Sequence, residues 1–189
     1  RGVARRDHSF PKHSLASLVM TVKHVSLDTG RQLAGKTAIT VPDQRWDRRD
    51  IKTIQLLPNC LAKQAASEKG AYEAIMVMPD GSVSEGSSSN VWILNNENQL
   101  ITRQPDEDIL NGITRQSIQR IAAERQMEIV ERSFSVAEMM QAKEVFVTSA
   151  TSMVTALTHI DGKKIDEGKV GLIASALKAD YIKYVKTCN

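Results

Sequence analysis

Apolar positions along this chain change period several times, and each change predicts an element. Residues 14–27 (SLASLVMTVKHVSL) and 33–41 (LAGKTAITV) are rich in Val, Leu, Ile and Thr with partial alternation, and Asp28 and Gly30 mark a turn between them, which predicts two strands. From Leu57 to Lys69 the apolar positions Leu57, Cys60, Leu61 and Ala65 follow the spacing of a helix face, with Gly70 where a C-terminal cap belongs. Glu73 to Met78 reads as a short strand, Asp80-Gly81 as a hairpin turn, and Val91 to Leu94 as a strand resumed after a polar stretch, before Asn95 to Asn98 turn the chain again. Ile113, Ser117, Ile118, Ile121 and Ala122 predict a helix directly after Asn111-Gly112, and MEIVERSF a strand. Ser135 with Glu138 three residues on is a capping box for a short helix ending near Ala142. EVFVTSA and VTALTHI are β-rich, Asp161-Gly162 closes a further hairpin, and Leu172 to Ile182 gives a helical tail. The pattern predicts an α+β domain of mixed strands with helices packed outside.

Composition narrows the class. At 189 residues the chain is long enough for a proper core, since domains cluster at roughly 100 to 150 residues. Hydrophobic residues at 41% and charged residues at 25% are ordinary globular values, which exclude a disordered chain. The net charge of +3 is scattered apart from the Arg1–Arg6 and Arg45–Arg49 clusters, and aromatics are only 4%, so a nucleic-acid stripe is not indicated. Cys60 and Cys188 make neither a disulfide framework nor a metal spacing, which favours a reducing compartment, the cytoplasm. No apolar run approaches the ~18 residues of a membrane span. The chain begins with Arg, inside RGVARRDHSFP, and reads as starting in the middle of something, so a preceding N-terminal portion is expected.

Four segments carry candidate chemistry. Lys52 lies in RWDRRDIKTIQLLPN, a strand-like approach into a helix, near Arg45, Arg48 and Arg49. A lysine forms a Schiff base only when neutral, and neighbouring positive charge favours the neutral form. Read alone, Lys52 is one surface lysine among many. The segment SVSEGSSSNVWIL puts Glu85 at the end of a strand, where a carboxylate could pair with a protonated pyridine nitrogen. Three consecutive serines also suit a flexible surface loop. ILNGITRQ puts a glycine, Ile113 and Thr114 at the amino end of a helix, which attracts a phosphate, and TSATS at Thr148 to Ser152 could supply the other half of a cup. Each is equally readable as an ordinary N-cap or turn.

Taken together and in order, DIKTIQLLPNCLAKQ, YEAIMVMPDGSVSEGSSSNVWIL, ILNGITRQ, KEVFVTSATS and HIDGKKIDEGKVG resemble the class IV pyridoxal-phosphate transaminases, and within that family most strongly the D-amino-acid aminotransferases. The resemblance covers essentially the whole chain. It implies a fold type IV large domain, a mixed and barrel-like sheet with surrounding helices, and pyridoxal 5'-phosphate as cofactor. It implies that Lys52 is the Schiff-base lysine, that Glu85 pairs with the ring nitrogen, and that Leu110 packs on the ring face. Ile113 with Thr114, and Ser149 with Ala150, would bind the phosphate, and Arg45 joins the cofactor-binding set. The family usually has threonine where Ala150 stands, and often Glu where Met153 stands. ARRDHSFP resembles the Arg-x-His element of the D-amino-acid branch, in which Arg6 and His8 would bind the substrate α-carboxylate, a task suited to a planar guanidinium fork. The family carries a smaller N-terminal domain ahead of the matched part, so residues 1–12 are expected to be an interdomain linker and carboxylate loop, and 13–189 the cofactor-binding large domain.

The expected activity is transamination of D-amino acids such as D-alanine with a 2-oxo acid such as 2-oxoglutarate, by a cytoplasmic homodimer with no nucleic-acid or membrane partner. Branched-chain aminotransferases fit less well, because they usually carry Tyr five residues after the lysine, where Leu57 stands here. An aminodeoxychorismate lyase of the same fold, and a non-catalytic fragment that keeps the fold, are the other readings.

Overall fold

The computed structural model describes residues 3–13, 15–24 and 34–187, which fall into two compact units, Arg1–Gly30 and Arg31–Asn189. In the first unit, residues 15–24 form no regular strand, contrary to the expectation for 14–27, of which 14 and 25–27 lie outside the described residues. Leu15, Leu18, Val19, Met20 and Val22 are all exposed. β-propensity measures how well a side chain fits a pleated, half-buried surface, and without a covering surface it supplies no drive to extend.

The second unit runs β1 (Lys36–Pro42), α1 (Leu57–Glu68), β2 (Glu73–Val77), β3 (Val83–Gly86), β4 (Asn90–Leu94), β5 (Leu100–Thr102), α2 (Ile113–Glu124), β6 (Ile129–Glu131), α3 (Val136–Met140), β7 (Glu144–Ser149), β8 (Met153–Ile160), β9 (Lys163–Lys164) and α4 (Leu172–Thr187). The strands form one mixed sheet in the order β3-β2-β1-β8-β7-β4-β5-β6, with β9 paired to β8. β1 lies parallel to both of its neighbours, and α1 supplies the crossover from β1 to β2 that parallel pairing requires.

The connection from β3 to β4 forces this sheet to curl. In a flat sheet the five spacings between them, at roughly 4.8 Å each, would separate the two strands by about 24 Å. The link from Gly86 to Asn90 reaches only about 15 Å, at about 3.8 Å per residue. Curling then brings the two ends together: Ser82 bridges Ser135, and Val83 N donates to Phe134 O at 2.9 Å. The mixed α+β, barrel-like sheet implied by the resemblance is therefore what forms.

Alternation along the strands sorts the core into layers. Ile75, Val91, Ile93, Val145, Val147 and Leu157 face one cluster together with Phe134 and Met139. Their neighbours Trp92, Phe146 and Ala156 face outward onto Ile118, Ala122, Ala174 and Leu177 of α2 and α4. Trp92 and Phe146 stack there at 5.9 Å. α1 covers β1 and β2 with Ala62 and Ala66 against Ile39 and Met76. The Ser135 cap forms as expected, its Oγ accepting from Glu138 N at 3.1 Å. β5 has no counterpart in the hydrophobic pattern, because three residues are too few to show a period.

Candidate active site

Every residue of β3 is buried, and its third is Glu85, only 5% exposed. A carboxylate in that position needs donors, and three reach it. Asn90 Nδ2 and the Leu110 amide each donate to Oε1 at 3.0 Å, and Arg45 Nη1 donates to Oε2. Asn90 also donates to Leu110 O at 2.8 Å, which locks the end of β4 to the segment preceding α2. A carboxylate offers about four acceptor positions, so Glu85 keeps one for a further donor.

Arg45 is held by Asp43, whose side chain is completely buried. Asp43 Oδ1 accepts from Arg45 N and Nε, both at 3.0 Å, and Oδ2 accepts from Nη2 at 2.7 Å and from Ser84 Oγ at 2.6 Å. Arg49 Nη1 pairs with Asp108 at 3.0 Å. Arg49 Nε stands 3.3 Å from Asp43 Oδ2 but has no hydrogen-bond partner among the described residues, so that contact acts through charge alone. The Arg45 guanidinium thus lies between two carboxylates, and they divide it unequally. Burial pushes the Asp43 carboxyl up, but the hydrogen bonds from Arg45 and Ser84 and the charge of Arg45 outweigh it and hold the group below the ordinary carboxylate range. For Glu85 burial wins over the charge and hydrogen bond of Arg45 and the Leu110 amide, and its pKa is pushed up to about 7.

The segment Leu110 to Thr114 turns from this carboxylate into α2. Gly112 is extended, and the first amide bonded back along the helix is Gln116 N, to Gly112 O at 3.0 Å. The amides of Ile113, Thr114 and Arg115 are left without intrahelical partners, the arrangement that binds anions. A Cβ on Gly112 would lie 2.5 Å from Asn90 Oδ1, so a side chain there would push the amide off Glu85. Thr114 is 2% exposed, and its Oγ1 is buried with no hydrogen-bond partner among the described residues. An orphan hydroxyl costs about 1–3 kcal/mol. Replacing it with isosteric valine is expected to stabilise the free chain by about 1 kcal/mol in urea unfolding while weakening inorganic phosphate by about tenfold. A valine chain that is less stable and binds phosphate as before would show that the hydroxyl is satisfied elsewhere.

Thr148 of β7 is the register partner of Asn90, so the β7–β8 turn lies at the same end of the sheet as Asn90. Ser149 Oγ lies 2.7 Å from Ser152 Oγ and accepts from Ser152 N at 3.2 Å, while Ala150 and Thr151 are exposed. The Thr148 hydroxyl is already used, accepting from Trp92 Nε1 at 3.0 Å.

Lys52 lies in the connection between β1 and α1, exposed and in no strand, and no side-chain hydrogen bond to it occurs among the described residues. The strand-like approach expected here is broken by a local turn, in which Ile51 N donates to Arg48 O at 3.2 Å and Arg48 pairs with Asp50 at 2.8 Å. The arginines expected to act on Lys52 as neighbouring positive charge each face a carboxylate: Arg45 faces Asp43 and Glu85, Arg48 faces Asp50, and Arg49 faces Asp108. Arg6 and His8 belong to the first unit, where both are exposed.

The structure therefore gathers Glu85, Arg45, Leu110, Thr114 and the Ser149 turn at one end of the sheet. Asp43, Asn90 and Asp108 were not anticipated as part of it. Asn90 closes the EGSSSN string and could have been read from it; the two aspartates stand outside the recognised strings, and each bonds, besides a near neighbour, a residue distant in sequence, Asp43 with Ser84 and Asp108 with Arg49. Pyridoxal phosphate, the group implied by the resemblance, fits this donor set: one open acceptor on a buried carboxylate, free amides at a helix start, and an orphan hydroxyl beside them. Among the described residues no group of three or more His, Cys, Asp or Glu is placed to hold a metal ion, and no helix is long and apolar enough to cross a membrane.

Residues 1–160 match the family described as amino-transferase class IV. A D-alanine aminotransferase of Staphylococcus epidermidis is 38% identical over 188 residues, 99% of this chain and 66% of that protein. One of Bacillus licheniformis is 37% identical over 171 residues, 90% of this chain and 60% of that protein. A branched-chain amino acid aminotransferase of T.th., solved with pyridoxamine 5'-phosphate, superposes with a TM-score of 0.72 at 28% identity, over 80% of this chain and 51% of that one. That of Thermoproteus uzoniensis, solved with norvaline, gives 0.69 at 27%, over 82% of this chain and 52% of that one. This chain thus spans about two thirds of the length of its curated relatives.

Proposed function

Because the chain belongs to the class IV amino-transferases, we propose that it serves the exchange of an amino group between a D-amino acid such as D-alanine and a 2-oxo acid such as 2-oxoglutarate. The observation that carries this reading is Glu85, a buried carboxylate with one open acceptor position beside a helix start with free amides. The names of the curated relatives support the D-amino acid, and the ligand of one structural neighbour supports the cofactor class.

In this reading Ile113, Thr114, Ser149 and Ala150 receive the phosphate of pyridoxal phosphate, Leu110 lies against its ring, and Lys52 Nζ holds it. When bound, that group supplies a carbon for amine capture and a ring that withdraws electrons from the substrate α-carbon. Lys52 Nζ would take the proton from the substrate α-carbon as base and then, as acid, give a proton up at the carbon that captured the amine, the shift between two carbons that amino-group exchange requires. Glu85 accepts a hydrogen bond from the ring nitrogen and holds positive charge there, and Arg45 keeps that carboxylate aimed. The sequence resemblance gives the substrate carboxylate to Arg6 and His8. A homodimer, carried by the resemblance, and a cytoplasmic location, carried by the cysteine usage, are part of the same reading.

The test mixes the purified chain with pyridoxal phosphate and records the absorbance before and after each amino acid. A cofactor band that responds to D-alanine and not to L-alanine is expected. A response to L-leucine alone would favour the branched-chain reading, which the structural neighbours support. Absence of any bound band would overturn both.

A further inference from the structure

On either side of Lys52 the chain is tied to a segment that builds the candidate site. Before Lys52, Arg49 N donates to Glu107 O at 2.9 Å and Arg49 Nη1 to Asp108 at 3.0 Å, just ahead of Leu110. After Lys52, Asn59 Nδ2 donates to Ser87 O at 2.9 Å, in the turn that follows Glu85.

The second tie rests on a rigid post. Gly86 N donates to Ser89 O at 2.7 Å, and Ser87 N donates to Ala74 O at 2.9 Å. Beneath the turn lies Glu73 of β2, 3% exposed. Its Oε1 accepts from Ser87 Oγ, and its Oε2 accepts from Ser89 Oγ at 2.8 Å. There is no room for a side chain at Gly86, where a Cβ would meet Ser89 Oγ at 2.2 Å and Glu73 Oε2 at 3.1 Å. The beginning of α1, by contrast, has little else to hold it. Leu57 and Leu61 are 69% and 54% exposed, the buried residues of α1 are Ala62 and Ala66, and Leu56 at its N-cap makes no side-chain cap. Apolar packing fixes the later turns of this helix, whereas the first turn depends on a polar contact.

We propose that Asn59 is a positioning residue, which holds the Lys52 segment against the turn following Glu85 through Ser87 O, with Glu73 as the buried anchor of that turn. The proposal rests on the reading of Lys52 given above. Asn59 touches no reacting atom in it; it sets where the lysine stands relative to the carboxylate.

The experiment compares the wild-type chain with Asn59→Leu, which keeps the volume and removes the donor. In the cofactor-free chain, hydrogen exchange across residues 51–61, which include the bonded amides of Leu56 and Cys60, is expected to speed up by roughly three- to tenfold. Capture of pyridoxal phosphate at Lys52, fixed by borohydride and located by peptide mass spectrometry, is expected to slow by about tenfold. Affinity for inorganic phosphate, which reports the helix start, is expected to stay within about twofold. Unchanged exchange across 51–61 would overturn the proposal, and so would equal losses of capture and phosphate affinity, which indicate general damage. A wild-type chain that captures no cofactor at Lys52 would sink the functional reading instead, and the exchange measurement would still decide the tie.

Discussion

A Lys52→Ala chain is expected to lose all covalent capture of pyridoxal phosphate and at least about a thousandfold in amino-group exchange, since one group acts there as both nucleophile and proton carrier. Two other lysines are engaged differently. Lys63 Nζ donates to Tyr72 O and sits 4.7 Å from the Tyr72 ring centre, and Lys36 lies 5.6 Å from the same ring. Lys52 stands in an exposed connection without a hydrogen-bonded partner among the described residues, and it is bracketed by ties to both halves of the site. The measurement pairs borohydride reduction and peptide mapping with turnover of D-alanine and 2-oxoglutarate. Turnover at the wild-type rate in the alanine chain would remove Lys52 from the chemistry.

The second large effect is on stability against pH, and its sign follows from Glu85. Its pKa is raised from 4.5 to about 7 by burial, against the opposing pull of Arg45. An unfolded chain releases this proton near the ordinary value, whereas the folded chain retains it, so between about pH 4.5 and about pH 7 the folded state binds more protons. Stability therefore falls as pH rises through that window, by about 3 kcal/mol in all, and is flat in this contribution on either side. Urea unfolding of the cofactor-free chain at pH about 4.5, about 6 and about 8 checks this, with Glu85→Gln as the reference that does not titrate there. The wild type is expected to lose ground to the glutamine chain as pH rises. A constant difference between the two would mean that Arg45 keeps Glu85 charged throughout.

How far the site was legible in the sequence depended on how local each signal was. α1, α2 and the Ser135-capped α3 were readable because a helix face repeats within a few residues and a cap bonds its own first turn. Glu85, Gly112 and Thr114 were readable because the chemistry assigned to them goes with recognisable strings, EGSSSN and NGIT. The strand expected over 14–27 shows the converse: its composition is right for a strand, but residues 15–24 are exposed, and β composition pays only where a surface covers it. Arg45, Arg48 and Arg49, read as positive charge neighbouring Lys52 in sequence, each face a carboxylate in the fold. Nearness in sequence says which charges are present, not which of them are neutralised.

By itself, then, the sequence determined the alternation of strands and helices, the motif strings and the family. The curl of the sheet, the sharing of Arg45 between Asp43 and Glu85, the orphan hydroxyl of Thr114 and the tie from Asn59 to Ser87 were decided only by the tertiary structure. Each of these depends on contacts between residues far apart in the chain. Burial and pairing, which set the charge of a carboxylate and the rigidity of a turn, exist only once those contacts form.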